Sequence, residues 1–224
     1  PLTSNQTLEP TQVAGFNQFF DDANGDVSTR YGFGLDWRPI QRVALGAEAT
    51  WRDLDQIAFG DEGDVTYNAD EQTHRVYANW TPTDQLALTA EVVYDRWKAE
   101  ESPITEFSAT PEDLETWSLP LTARYFHPSG FFATLGGTFV HQDVKRANNN
   151  ILDIEDGSDS FFLVNAAIGY RFPKRIGAVS LQVNNLFDTG FQYQDDSFRE
   201  VQDQPSVGPY IPERQVMLRL TLTW

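Results

Sequence analysis

The stretch of sequence that decides the fold is QVMLRLTLTW, residues 215–224. Its apolar side chains recur at every second position: Val216, Leu218, Leu220, Leu222 and Trp224. The positions between them hold Met217, Arg219, Thr221 and Thr223. A two-residue period places alternate side chains on opposite faces of a β-strand. Soluble chains usually fray into polar residues at their ends, whereas this apolar set continues to the final residue. The stretch therefore predicts a strand with one face in an apolar medium and its arginine-bearing face toward water.

The same pattern resembles the closing strand of a bacterial outer-membrane β-barrel. In such barrels the C-terminal aromatic residue belongs to the signal that the barrel-assembly machinery reads. The resemblance implies that the signal here comprises Leu218, Leu220, Leu222 and Trp224. An edge strand of a soluble β-sandwich would show the same alternation, so the rest of the chain has to distinguish the two folds.

Composition narrows the class of protein. The 224 residues are 40% hydrophobic, yet no run of about 18 apolar residues predicts a transmembrane helix. A membrane barrel shows no such run, because only every second residue faces lipid. The net charge of -17 excludes nucleic acid as a partner. Cysteine is absent, which excludes disulfides and thiolate catalysis. Because residue 1 is proline, we expect a mature form or a piece of a longer protein.

Alternation with a period of two predicts ten strands in this chain. They cover about residues 11–20, 28–38, 42–55, 72–81, 85–97, 115–126, 130–144, 160–172, 178–193 and 213–224. Short turns containing Pro39, Pro82, Pro128 or Pro173 alternate with long loops at about 56–70, 98–113, 145–158 and 194–212. Outer-membrane barrels combine short periplasmic turns with long external loops. The chain is therefore predicted to form an all-β, antiparallel up-and-down transmembrane β-barrel, with outer-membrane lipid and lipopolysaccharide as its partners.

Aromatic residues fall near both ends of the predicted strands. One group lies toward the short turns: Trp37, Trp80, Tyr125, Tyr170, Phe172 and Trp224. The other lies toward the long loops: Trp51, Tyr94 and Trp117. Two such belts are typical of membrane interfaces, whereas core aromatics of a soluble domain would lie mid-strand as often. Within one predicted strand Pro120 has no backbone donor, which predicts a β-bulge there.

Two segments near the C-terminus carry a resemblance to a family. Asn184-Asn185-Leu186-Phe187-Asp188 and the later Pro212-Glu213-Arg214 are similar to the C-terminal signature of TonB-dependent receptors. Asn5-Gln6-Thr7-Leu8-Glu9-Pro10 resembles a mid-barrel segment of that family. The resemblance implies a barrel of about 22 strands, filled by a plug, that moves a bulky ligand across the outer membrane. That barrel needs far more than 224 residues, so residues 1–224 are expected to be its C-terminal portion or a smaller barrel with the same ending.

Two alternatives stay open beside that function. Residues 15–26 and 126–131 resemble barrels fused to tetratricopeptide-type repeats. That resemblance implies export or assembly of an envelope polymer, with a periplasmic repeat domain encoded upstream in place of a plug. The other alternative is a closed ten-strand barrel with enzymatic or adhesive loops. Since His74, His127 and His141 are scattered, with no nucleophile elbow and no zinc motif, we expect no enzymatic activity.

Charged residues on the water-facing side of the predicted strands are candidates for ligand binding. They are Arg38, Glu48, Arg75, Glu91, Arg124, Arg171 and Arg219. A ladder of charges that merely fills a wet wall is the competing interpretation. The four arginines Arg38, Arg124, Arg171 and Arg219 cluster toward the short turns, where they suit an anionic ligand or a plug. Asp22, Asn24 and Asp26 have the spacing of calcium ligands but lack the distal glutamate, so an ordinary turn competes with a calcium site there.

Overall fold

A computed structural model describes residues 12–13, 16–17, 27–60, 63–99, 111–146, 156–191 and 214–222. The strands are β1 (Gln12–Val13), β2 (Phe16–Asn17), β3 (Val27–Ile40), β4 (Val43–Gly60), β5 (Gly63–Trp80), β6 (Leu86–Ala99), β7 (Pro111–Phe126), β8 (Phe131–Arg146), β9 (Gly157–Arg171), β10 (Gly177–Asn184) and β11 (Gln215–Leu222). A single 3-10 turn, Pro173–Arg175, joins β9 to β10. The candidate calcium ligands Asp22, Asn24 and Asp26, the terminal Trp224 and residues 5–10 lie outside the described residues.

The prediction of an antiparallel up-and-down all-β fold is confirmed. Within the described residues, β3 to β11 form one nine-stranded sheet in which each strand pairs with its neighbours in sequence. The sheet is not closed, because β3 and β11 are its two edges. The first predicted strand, at about residues 11–20, is described only at residues 12–13 and 16–17, which are not part of this sheet. Its described residues form the separate two-residue pair β1–β2.

The direction of the strands limits how this sheet can close. Neighbouring strands are antiparallel, so β3 and β11, the first and ninth strands of the sheet, run in the same direction. Direct pairing of β3 with β11 would therefore be parallel. Single-chain bacterial barrels have an even number of antiparallel strands. An antiparallel closure of this sheet consequently needs an odd number of further strands between β11 and β3.

One predicted loop and one predicted bulge are wrong. The acidic stretch 56–70 is a tight hairpin, in which β4 and β5 stay paired up to Gly60 opposite Gly63. Val65, Tyr67 and Ala69 still alternate there along β5, and the acidic residues around them obscured that pattern in the sequence. Pro120 keeps its place opposite Thr138 without a change of register. The missing donor of Pro120 instead leaves a short gap in the pairing of β6 with β7.

The two faces of the sheet differ sharply in chemistry. Because directly paired residues point to the same side, the register assigns each paired strand residue to one face. The face that carries Phe33, Leu121 and Leu218 is termed the apolar face, and the opposite one the polar face. The end of the sheet with the short turns is termed the turn end, and the other the loop end. Buried strand residues lie on the polar face, except Val164 on the apolar face.

The packed core occupies the loop end of the polar face. It is a cluster from five neighbouring strands: Leu54, Ala69, Trp97, Ala99, Leu114 and Val144, with Tyr67 against it. The register explains the cluster, since Leu54 lies opposite Ala69 and Ala69 opposite Ala99. Leu114 likewise lies between Trp97 and Val144. Apolar packing therefore fixes the loop end of the polar face, and polar side chains remain toward the turn end.

Candidate functional site: the two faces of the sheet

The apolar face carries a hydrophobic band across the whole sheet. Its margins are two rows of rings, the loop-side row (Tyr31, Trp51, His74, Tyr94 and Trp117) and the turn-side row (Trp37, Trp80, Tyr125 and Tyr170). Among the described residues of this face, none between the two rows is charged. Large side chains there are open, with Leu35 70% and Leu218 75% exposed. Monomeric soluble proteins rarely expose so extended an apolar surface.

Ring contacts hold the loop-side row together. Trp51 stacks on Tyr31 with centroids 5.9 Å apart, and its other side meets His74 edge-on at 5.1 Å. His74 stacks on Tyr94 at 5.8 Å, and Tyr94 lies 4.7 Å from Trp117. The row thus crosses five strands without a gap. The sequence predicted the belt at Trp51, Tyr94 and Trp117, but it gave no reason to place His74 or Tyr31 in it.

Charged residues begin immediately beyond the loop-side row. Arg96 donates to both carboxylate oxygens of Asp113, from Nε at 2.8 Å and from Nη2 at 2.6 Å. Hydrogen bonding from Arg96 lowers the pKa of Asp113, with Lys145 and Lys98 adding further positive charge nearby. Asp113 lies four residues past Trp117, outside the hydrophobic band. The apolar face therefore changes from apolar side chains to ion pairs within about 13 Å along the strand.

Small residues make a groove in the hydrophobic band. Its volume is about 450 Å³, and Ala47, Ala78 and Ala90 are among the residues that line it. Larger apolar side chains also line it: Leu35, Trp37, Leu45, Val76, Val92 and Leu119. Because these side chains belong to the hydrophobic band, the groove is continuous with that surface.

A charge network occupies the middle of the polar face on β3 to β6. Arg75 Nε donates to Glu91 at 2.9 Å, and Arg75 Nη1 lies 3.8 Å from Glu48. The Arg75 guanidinium also sits 4.7 Å above the ring of Tyr77, whose hydroxyl donates to Asp36. Three of the predicted ligand-binding residues, Glu48, Arg75 and Glu91, are thus brought together, and they bind one another.

The polar network continues toward the loop end. Arg52 forms an ion pair with Glu71 at 2.9 Å, and the hydroxyl of Thr73 donates to Asp95 at 2.7 Å. On β8, the buried Gln142 donates to the hydroxyl of Thr116 at 2.7 Å. In these contacts the polar side chains of the polar face pair with one another. Such pairing is expected when polar residues stabilise the sheet.

The remaining predicted arginines lie apart from that network. Arg124, Arg171 and Arg219 project from the polar face near the turn end of β7, β9 and β11. The guanidinium of Arg171 packs over the rings of Phe126 and Phe132, at 4.9 and 5.7 Å. Arg38 falls in the irregular segment between Trp37 and Ile40, so the ladder does not assign it to either face.

The segment that carries the family resemblance is a structural corner. Asn185 is 5% exposed and has a positive φ of 49°. Its side chain accepts from the backbone of Thr189 at 2.9 Å and donates back to the carbonyl of Thr189 at 3.0 Å. Asp188 accepts from the backbone N–H of Arg214 at 2.8 Å. The corner ends β10 at Asn184, nine residues before the predicted strand end at residue 193. Through Asp188 and Arg214 it ties the end of β10 to the start of β11.

The predicted assembly-signal residues share one face of the edge strand. Leu218, Leu220 and Leu222 all lie on the apolar face of β11 and are exposed. Each lies opposite a β10 residue, Leu218 against Leu181 and Leu220 against Val179. The predicted alternation is therefore present over Gln215–Leu222, with Arg219 on the polar face.

One constellation was missed by sequence reasoning. The imidazole of His141 hydrogen-bonds through Nδ1 to the hydroxyl of Ser160 at 2.7 Å and through Nε2 to the carboxylate of Asp143 at 3.1 Å. His141 and Ser160 are separated by 19 residues and become direct neighbours through the β8–β9 register. Within the described ranges, no three His, Asp or Glu side chains form a metal-binding group. No helix among the described residues is long and apolar enough to cross a membrane.

Comparison with known proteins gives no relative. No protein-family model matches the chain, and no curated protein or solved structure is significantly similar to it. The likeness to TonB-dependent receptors is therefore carried by the quoted residues alone.

Proposed function

We propose that this chain is part of the wall of a bacterial outer-membrane β-barrel that moves a bulky ligand across the membrane. The observation that supports the proposal is the uncharged, exposed band between two aromatic rows. On β7 the band runs from Trp117 to Tyr125, about 26 Å along the strand at the usual rise per residue. Strands of membrane barrels are tilted by about 35–45°, so this length corresponds to about 20 Å of height, close to the apolar band of about 25 Å in such barrels. Lipid would cover this face, and the loop-side row would lie at one membrane interface.

The open edges favour a larger barrel. In hydrocarbon, unpaired backbone groups cost several kcal/mol each, so membrane strands form closed barrels. The described sheet has two edges and an odd number of strands, which requires further strands for an antiparallel closure. Barrels of about eight strands are filled by side chains, whereas those of 16 or more enclose an aqueous lumen. A wall of nine strands with additional partners suits a lumen lined by the polar face, which is the arrangement that transport requires.

Spin labels at neighbouring positions test this assignment. The chain has no cysteine, so Leu135→Cys on the apolar face and Thr134→Cys on the polar face each give one labelling site. In phospholipid vesicles, the label at position 135 is expected to collide with oxygen dissolved in the bilayer. The label at position 134 is expected to collide with a water-soluble nickel chelate. Equal access of the chelate to both positions would show that the apolar face is not in lipid, and reversed access would show that the faces are assigned the wrong way round.

A further inference from the structure

The Ser160–His141–Asp143 cluster has the geometry of an activated serine. In a neutral imidazole one ring nitrogen donates and the other accepts. If Asp143 accepts from Nε2–H, the lone pair of Nδ1 is left to accept the Ser160 hydroxyl proton. Both contacts, at 2.7 and 3.1 Å, are within hydrogen-bond reach. Nucleophile, base and carboxylate are thus aligned in the order that serine hydrolases use on unrelated folds.

The register places all three groups on the same face. His141 lies directly opposite Ser160, and Asp143 lies opposite Ser158, one alternate position further along β8. All belong to the apolar face at the end of the hydrophobic band. None of the three is buried: Ser160 is exposed, and the side chains of His141 and Asp143 are 38% and 49% exposed. An external molecule can therefore reach the cluster from the side of the apolar face.

The residues around the Ser160–His141–Asp143 cluster show where it lies relative to the hydrophobic band. On the other side of β8, His141 lies opposite Trp117, the last ring of the loop-side row. The indole of Trp117 donates to Glu115 at 3.1 Å, and Glu115 lies opposite Asp143. Toward the turn end the next residue of this face on β9 is the exposed Phe162. Ser160 consequently lies at the boundary between the hydrophobic band and the charged residues beyond it. Interfacial aromatic residues meet lipid headgroups at this level of a membrane protein.

We propose that Ser160, His141 and Asp143 form a serine-esterase site for an acyl ester of a membrane lipid. The inference rests on the proposed function for its substrate, because the ester linkages of a lipid lie between its acyl chains and its headgroup. Phe162 and the hydrophobic band would receive the acyl chain, and the charged side chains beyond the row would face the headgroup. Ser160 and His141 are the catalytic residues, and Asp143 is a positioning residue.

The reaction needs no component besides the ester and water. Ser160 Oγ bonds to the ester carbonyl carbon while its proton passes to His141 Nδ1. The ester C–O bond then breaks, and the leaving alcohol takes that proton from Nδ1. Water attacks the acyl-serine and gives a proton to Nδ1, which returns it to Ser160 Oγ as the free fatty acid departs. Asp143 and Glu115 supply negative charge near the imidazolium that forms in each half.

Covalent labelling tests the nucleophile directly. The full chain, folded in detergent and in palmitoyl-oleoyl-phosphatidylethanolamine vesicles, is treated with a biotinylated fluorophosphonate. Labelling at Ser160 is expected, and Ser160→Ala is expected to abolish it. Ser158→Ala is the matched control, since Ser158 lies on the same face two residues away, and it is expected to label normally. Absence of labelling in the folded chain, or equal labelling of the Ser160→Ala variant, would overturn the proposal.

Fatty-acid release from the same vesicles tests the substrate class. We expect His141→Gln to lower the rate by about 100-fold or more, as for loss of a general base. Asp143→Asn is expected to change the pH dependence of labelling, and Asp143→Glu to restore part of the rate. Heat-modifiable gel migration identifies variants that fold. A labelled Ser160 without fatty-acid release would refute the lipid ester as substrate.

The spin-label experiment separates this inference from the proposed function. If the label at position 135 is in lipid while Ser160 stays unlabelled, the esterase fails and the membrane assignment stands. If Ser160 is labelled in detergent while position 135 is in water, the nucleophile stands and both the membrane assignment and the lipid substrate fail.

Discussion

Leu121 lies at the centre of the hydrophobic band, four residues from Trp117 and four from Tyr125. At about 3.3 Å per residue it is about 13 Å along the strand from either aromatic row. Thr122, the next residue, points to the polar face opposite Gly136. Leu121→Arg and Thr122→Arg therefore add the same charged side chain at the same depth, on opposite faces.

The expected difference between the two variants follows from the solvent of each face. An arginine on the lipid face at the bilayer midplane costs about 2–4 kcal/mol. Since about 1.4 kcal/mol is a factor of ten, Leu121→Arg should lower the folding equilibrium constant by about 30-fold to 1,000-fold. Thr122→Arg faces water and should change the free energy of unfolding by about 0.5 kcal/mol at most, as surface substitutions do.

Urea titration of the chain folded in phospholipid vesicles measures both free energies, with gel migration to follow the folded fraction. In a soluble protein the two variants would behave alike, because Leu121 is already 45% exposed. Similar free energies of unfolding for the two variants would refute the assignment of the apolar face to lipid. A larger loss for Thr122→Arg would show that the polar face is the dry one.

Two further predictions concern the corner and the ion pair. Asn185→Ala should destabilise the chain by about 2–4 kcal/mol, since it removes two hydrogen bonds and puts alanine at positive φ. Asn185→Gly should cost about 1 kcal/mol less in urea titration, and equal losses would contradict the backbone part of that reasoning. Asp113→Asn should cost about 1.5–3 kcal/mol at neutral pH. Because Arg96 lowers the pKa of Asp113, this stabilisation is present above the unfolded pKa of about 3.9 and is lost as pH falls through the folded value. A difference from wild type that persists below both pKa values would contradict this pairing.

The period of two was sufficient to predict strands where one face is apolar and the other polar. It located β6, β7 and β8 to within a few residues at most ends, and it sorted the short turns to one end of the sheet. It failed at residues 56–70, where acidic residues obscure the apolar alternation although Tyr67 and Ala69 pack at the core and the hairpin continues. The period of two also predicted that strand 178–193 continues past Asn184, where β10 ends. The positive φ of Asn185 and its contacts with Thr189 end the strand, and neither produces a signal in the alternation.

The candidate sites also depended partly on the sequence and partly on the pairing of strands. The alternation identified the charged residues of the polar face. Only the register showed that Arg75 binds both Glu48 and Glu91, and that Arg124 and Arg219 lie away from that network. His141 was one of three scattered histidines in the sequence. Pairing of β8 with β9 gave it a serine on one ring nitrogen, and the two-residue repeat of β8 gave it an aspartate on the other.

The sequence by itself determined which side chains share a face within each strand, since alternation is a local property of extended backbone. It thereby determined that each strand has one apolar and one polar face. The tertiary structure decided which residues of different strands lie opposite one another, because a register shift by a single residue would exchange the faces. It also decided that the described sheet keeps two open edges running in the same direction. Edges and register depend on contacts between distant parts of the chain, and no local pattern contains them.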